Sequence, residues 1–311
     1  MHDGRLGGTE PQRLEIQPQR RGSGLLLKPT IGILLLALLV SGCSPLRVIS
    51  SVSPIGSGEV SRDIPFGAHE LTLDLYRPDE SMTSVSLRPV IVFIYGGGWQ
   101  SGTKEEYAFV ASTLVRQGYV VVIPDYRLFP EVQFPEFVND SASALRWTFD
   151  NIGQYGGDPS NVFVMGHSAG GEIAALLHYD ESYLQLAGTQ QRPCGFIGLS
   201  GPYDFLPLVG GPLEQIFPPA TRASSQPINF VTGDEGPALL VHGYLDNTVK
   251  PRNSAKLAEL VTAAGGQAQL VIVPERQHAS IVLALARPLS WLAPVVDDVH
   301  AFIQKHACAA G

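Results

Sequence analysis

The sequence predicts an α/β fold: a mostly parallel, doubly wound sheet with helices on both faces, built as one domain. Three observations predict it. Short β-branched runs such as VIVFIY at 90–95 and VVVI at 120–123 are continuously apolar instead of alternating, as strands buried on both faces must be. Stretches with apolar residues at helical spacing lie between these runs, and strand–helix alternation is the signature of parallel strands joined by crossover helices. The 311 residues are 44% hydrophobic and only 16% charged, a composition able to fill a sizeable core.

Taken in order, the chain begins with a segment to be set apart from the fold. Arg20, Arg21 and Lys28 precede a charge-free run at 31–40, IGILLLALLV. As a helix, that run spans ~15 Å, about half the hydrocarbon thickness of a bilayer, so it reads as the apolar region of a secretion signal. Val40-Ser41-Gly42-Cys43 follows and resembles the lipobox of bacterial lipoproteins, with Cys43 as the lipidated residue. That resemblance implies a signal peptide at 1–42, a membrane partner reached through acyl chains on Cys43, and a cell-envelope location. Ser44 after the Cys resembles the pattern sent on to an outer membrane. Each buried CH₂ of such an anchor contributes ~0.8 kcal/mol. Residues 43–62, rich in Ser, Gly and Pro, read as a tether, and 63–311 as the folded domain.

Strands are expected at 70–76, 90–95, 119–123, 161–165, 196–199, 238–241 and 269–273. Helices are expected at 107–117, 134–150, 256–264 and 295–306. In the third of these, Leu257, Leu260, Val261 and Ala264 share a face, and Gly265-Gly266 ends it. Cys194, just before a strand, reads as a core residue not paired with Cys308. The net charge of −8, without a basic run, argues against nucleic acid as a partner.

Two glycine-rich turns carry the chemistry. Gly166-His167-Ser168-Ala169-Gly170 follows the apolar run VFVM and precedes a helical pattern at 172–178. Strand, G-x-S-x-G, helix is the context of a nucleophile elbow, in which a serine sits on a tight turn at a helix start. Upstream, Tyr95-Gly96-Gly97-Gly98-Trp99 ends the strand VIVFIY. Three glycines there are costly unless main-chain amides must face a ligand. The amides of Gly97, Gly98 and Ala169 are therefore the candidate oxyanion donors.

Together with Asp125-Tyr126-Arg127-Leu128, Pro130-Glu131 and Phe134-Pro135, these turns resemble the esterase/lipase branch of the α/β-hydrolase family. That branch includes hormone-sensitive-lipase-like and feruloyl-esterase-like members. Tyr95 stands where many members carry His, which resembles the prenylcysteine-methylesterase and feruloyl-esterase-like side. The resemblance implies an α/β-hydrolase fold with a short cap, a nucleophile–acid–histidine order, and small-molecule esters as substrates. His278, in the loop after the last strand QLVIV, fits that order as the base. Leu240-Val241-His242-Gly243-Tyr244-Leu245-Asp246-Asn247-Thr248-Val249 matches the family's H-G-x-x-D-x-x-V pattern, which makes Asp246 the acid. Asp204 is the rival, read as holding a loop or the cap, while Asp125 and Arg127 are expected to form a structural ion pair.

Such a triad needs no metal or other cofactor, and the remaining Cys and His show no ligand spacing. Residues 201–236 read as a short cap or pocket wall or, equally, as an ordinary loop packed over the sheet. Amide, formamide or acyl-transfer chemistry on the same residues remains an alternative, as does a non-catalytic envelope binding protein.

Overall fold

A computed structural model describes residues 44–53, 58–79 and 87–308. The signal segment 1–42 and the lipidation candidate Cys43 lie outside the described residues. The strands are β1 (Glu59–Pro65), β2 (Thr72–Arg77), β3 (Arg88–Ile94), β4 (Val120–Pro124), β5 (Gly157–His167), β6 (Gly195–Leu199), β7 (Ala238–Gly243) and β8 (Ala268–Val273). They form one sheet in the order β1-β2-β4-β3-β5-β6-β7-β8. Pairings β1/β2 and β2/β4 are antiparallel and all others parallel. The expected doubly wound, mostly parallel sheet is thus present.

Helices α1 (Pro45–Ser51), α2 (Ala108–Arg116), α3 (Glu136–Asn151), α4 (Ala169–Tyr179), α5 (Ser182–Leu186), α6 (Leu213–Ile216), α7 (Arg252–Ala263), α8 (His278–Leu283) and α9 (Val295–His306) accompany it. Residues of β3, β4, β5, β6 and β7 are buried on both faces, which explains their unbroken apolar runs. Strand order reverses between β3 and β5, and the crevice beyond the carboxyl ends at such a switch point is where open α/β sheets bind ligands. Among the described residues, no helix is long and apolar enough to cross a membrane.

Three expectations are corrected. The stretch read as a tether contains structure: α1, whose Ser50 Oγ donates to the Glu106 carbonyl at 2.9 Å, and β1, which pairs with β2. β1 is an edge strand whose only aliphatic residues, Val60 and Ile64, are half-buried among charged and polar ones. Charge on an edge guards against intermolecular pairing, and it also erases the strand's hydrophobic signature.

The ion pairing is also different. Asp125 does not meet Arg127. Arg127 grips Asp140 with Nε and Nη2 at 2.7–3.2 Å and reaches Glu136 at 3.4 Å. Asp125 instead meets the buried Lys104, whose Nζ lies 3.1 Å from Asp125 Oδ2, 2.8 Å from Asp63 Oδ1 and 2.9 Å from Glu105 Oε1. Burial works against the ammonium, but hydrogen bonds to Asp63 and Glu105 and the charge of Asp125 hold its pKa above the usual lysine value. Asp125 also accepts from Tyr95 Oη at 3.1 Å, so this hub ties β1 to the end of β3.

Third, Cys194 and Cys308 are joined by a disulfide, with their Cα atoms 5.8 Å apart. α9 returns the chain to β5, where the Cys308 amide donates to Asn161 Oδ1 at 3.3 Å, directly beside the start of β6. No short-range pattern encodes that return. The bridge spans a sequence separation of 114 residues. Cys308→Ser is therefore expected to lower stability by about 2–4 kcal/mol, read as a lower denaturant midpoint with unchanged ester turnover. Equal midpoints for the oxidised protein and the variant would show that the bridge constrains nothing.

Candidate active site

β5 delivers Ser168 into the N-cap position of α4 with φ +55° and ψ −124°, a conformation rare for a residue with a side chain. The surroundings enforce it. The Ser168 amide donates to the Leu199 carbonyl of β6 at 2.9 Å, and its carbonyl accepts from the Gly171 amide at 2.8 Å. A Cβ on Gly166 would lie 2.0 Å from the Gly170 carbonyl oxygen, and one on Gly170 would lie 2.2 Å from that of Ile94. Glycine is thus required where α4 crosses the end of β3.

The loop after β3 folds back on this elbow. A Cβ on Gly96 would sit 3.0 Å from Ser168 Cβ, so the loop touches the serine itself. Gly97 has φ +142°, and any side chain there would run into the Ser101 carbonyl at 1.8 Å. The Gly97 carbonyl accepts from the amides of Gln100 and Ser101, which closes the turn. Among the described residues, no hydrogen bond uses the amides of Gly97, Gly98 or Ala169, the three expected donors. They remain free for a ligand atom.

His278 begins α8 after β8, and Asp246 follows β7. His278 Nε2 lies 2.7 Å from Ser168 Oγ, and Nδ1 lies 2.7 Å from Asp246 Oδ2. A carboxylate can only accept, so His278 carries its proton on Nδ1 and Nε2 is left to accept from the serine hydroxyl. The other Asp246 oxygen accepts from the amides of Thr248 and Val249, both at 2.9 Å. Burial pushes the Asp246 carboxyl up, but hydrogen bonds from His242, His278 and the Val249 amide outweigh it and hold the group below the usual carboxylate range. Ser168, His278 and Asp246 are thus brought into one hydrogen-bonded line from three strand ends. Asp204 stays outside it: its amide, with that of Tyr203, donates to Asn253 Oδ1.

Two neighbours were not singled out as functional by sequence. His242 Nδ1 accepts from Ser254 Oγ at 2.7 Å, and Nε2–H points at the Val249 carbonyl, 2.9 Å away, and Asp246 Oδ2, 3.2 Å away. It braces the carboxylate, and its place in the H-G-x-x-D stretch was the signal. The His167 ring lies 5.0 Å from that of His278. Burial, then the nearby His278, pushes its pKa down to about 3, so it stays neutral beside the line.

Residues 201–236 form a wall packed against the loop after β3 and the loop before α3. α6 and the short turns Arg222–Ser225 and Pro227–Phe230 carry Phe217 edge-on to Trp99, with ring centroids 4.8 Å apart. The Phe134 amide donates to the Ile216 carbonyl at 2.9 Å, tying this wall to the loop before α3. Among the described residues, no group of three or more His, Cys, Asp or Glu could hold a metal ion.

Comparison with known proteins agrees with this fold. Residues 73–195 match the family profile described as BD-FAE, and residues 138–307 match that of the prolyl oligopeptidase family. The chain is 28% identical over 251 residues to isoprenylcysteine alpha-carbonyl methylesterase ICME of Arabidopsis thaliana, covering 73% of this chain. It spans only 58% of that relative's length. It is 31% identical to carboxylesterase NlhH of Mycobacterium tuberculosis, over 64% of this chain and 69% of the relative. Among solved structures, apo esterase 2 of Thermogutta terrifontis superposes with a TM-score of 0.68 at 22% identity, over 83% of this chain and 98% of that one, a likeness of fold. From its sheet order, its elbow and these matches, the chain belongs to the α/β-hydrolase family, on its esterase side.

Proposed function

We propose that the protein hydrolyses carboxylic esters through an acyl-enzyme on Ser168. The observation that carries the reading is the continuous line from Ser168 Oγ through His278 to Asp246, with both links at 2.7 Å. His278 Nε2 takes the serine proton as Oγ attacks the ester carbonyl. The tetrahedral oxyanion lies against the amides of Gly97, Gly98 and Ala169, at the positive end of α4. His278, now an imidazolium balanced by Asp246, gives its proton to the leaving alcohol. Water then attacks the acyl-serine by the reverse sequence, releasing the acid. These steps draw on side chains and main-chain amides alone. The small aromatic wall supports short- to medium-chain or aryl esters as substrates.

The test is turnover of p-nitrophenyl esters from acetate to decanoate, beside labelling of Ser168 by a fluorophosphonate. A folded protein that does neither rejects the reading. A second reading, amide cleavage by the same residues, is favoured by the prolyl oligopeptidase profile match over 138–307. Faster turnover of an anilide than of the ester with the same acyl group would select it.

The lipobox-like Val40-Ser41-Gly42-Cys43 supports attachment to the cell envelope, with the outer membrane as the proposed destination. When the full gene is expressed in a bacterium, Cys43→Ser is expected to move the protein from the membrane fraction to the soluble one. It is also expected to abolish palmitate incorporation. Unchanged palmitate labelling in the variant counts against Cys43.

A further inference from the structure

The proton relay makes no use of one buried acid beside the nucleophile. Glu172 lies one helical turn after Ser168 on α4, hence on the same helix face. It is wholly buried, and its Oε2 accepts from the indole Nε1–H of Trp99 at 3.1 Å. Among the described residues, its Oε1 has no hydrogen-bond partner. Burial pushes the carboxyl well above the usual carboxylate range, opposed by the Trp99 hydrogen bond. A buried polar group so sparsely partnered is unfavourable relative to an aliphatic side chain of its size, so packing alone does not account for it.

Trp99 links the turn after β3 to the aromatic cluster of residues 201–236. It directly follows Gly98 of the oxyanion turn and holds φ +60°, a left-handed conformation disfavoured for a large side chain. Its ring packs at 4.8 Å from Phe217, 6.0 Å from Phe205 and 6.5 Å from Phe137. Its carbonyl accepts from the Phe129 amide at 2.8 Å. The bond to Glu172 is the polar contact that fixes the ring's position along this wall.

We propose that Glu172 is a positioning residue that pins Trp99, and thereby sets how large an ester group the aromatic wall admits. The proposal rests on the ester-cleaving reading of the site. Without the strut, Trp99 can relax away from its left-handed backbone and the wall loses its fixed edge. Size discrimination then weakens, while the Ser168–His278–Asp246 line is untouched.

The full chain is tested as Glu172→Leu, Glu172→Gln, Trp99→Phe and the Glu172→Leu/Trp99→Phe double variant. The first measurement needs no turnover. The sequence has three tryptophans, Trp99, Trp147 and Trp291, so the indole N–H signal lost in Trp99→Phe identifies Trp99. Its hydrogen exchange is expected to be about tenfold faster or more in Glu172→Leu. In Glu172→Gln, whose amide oxygen still accepts, it should stay near wild type.

The second measurement is kcat/KM across an acyl-length series and an alcohol-length series of esters. In one of the two series, Glu172→Leu is expected to change the long-to-short ratio by about fivefold or more, with kcat on the best substrate within about threefold of wild type. Glu172→Gln keeps the wild-type ratio, and the double variant shows no shift beyond that of Trp99→Phe. Unchanged indole exchange in Glu172→Leu overturns the proposal, as does a uniform loss across both series or an additive double variant. Should Glu172→Leu fail to fold, Trp99→Phe, which removes the donor but keeps an aromatic face, must shift the ratio by itself or the proposal falls. If indole exchange responds as expected but wild type cleaves no ester, the strut stands and the esterase reading fails.

Discussion

Ser168→Ala is expected to lower kcat/KM for p-nitrophenyl esters by about 10³-fold or more, with the fold intact. The variant deletes one oxygen. The backbone that holds residue 168 at φ +55° is fixed by its neighbours: the amide bond to Leu199, the carbonyl bond from Gly171, and the glycines that let α4 cross β3. Thermal stability should therefore change little. His278→Ala should lose a similar factor, since without Nε2 the serine hydroxyl has no acceptor for its proton. The double variant should be no worse than either single one, because members of one relay act as a unit. What survives in all three measures the main-chain amides of the oxyanion turn and substrate binding. Fluorophosphonate labelling should vanish in Ser168→Ala. A Ser168→Ala protein that still cleaves esters within tenfold of wild type would place the nucleophile elsewhere.

The parts of this molecule legible in sequence are those where physics acts over a few neighbouring residues. β3 through β7 announce themselves because both faces are buried. Ser168 was legible in the G-x-S-x-G turn after the apolar run of β5, whereas Asp246 and His278 were expected from the motif and residue order of the resembling family, and the structure brings the three within hydrogen-bond distance. What escaped depends on partners far along the chain. Charged β1 looks like linker until β2 pairs with it. Asp125 sits two residues from Arg127, yet its cation arrives from Lys104 on another loop, while Arg127 turns to α3. Cys194 and Cys308 meet because α9 happens to end beside β5, a matter of helix length and packing. His242 was visible as a motif residue, but its tautomer and its hold on Asp246 follow only from Ser254 and Val249 lying where they do. Glu172 carried no signal at all, since nothing local says that an acid four residues after a serine faces an indole.

Asp246→Asn should be nearly as damaging as loss of the serine, although it preserves size and burial. Oδ2 accepts from His278 Nδ1–H and lies within reach of His242 Nε2–H, while Oδ1 takes the amides of Thr248 and Val249. Those two amides fix which end of the new side chain is oxygen, so the asparagine NH₂ is turned toward both imidazoles. His278 must then move its proton from Nδ1 to Nε2 to accept that donor, and a protonated Nε2 cannot take the proton of Ser168. The expected loss is about 10⁴-fold in kcat, with little change in KM. Stability gives an independent reading with a definite sign. Asp246 is held below its unfolded value of ~3.9, so the folded state binds its proton less readily than the unfolded chain. Its contribution is fully present above that unfolded value and is lost as pH falls through the lower folded one. The denaturant midpoint of Asp246→Asn should therefore trail wild type at pH 7, and the gap should narrow as pH is lowered from about 4 toward 2. A gap that is constant across this range would mean that the carboxylate charge contributes nothing to the fold. A variant with near wild-type kcat would mean that His278 holds its working tautomer without Asp246.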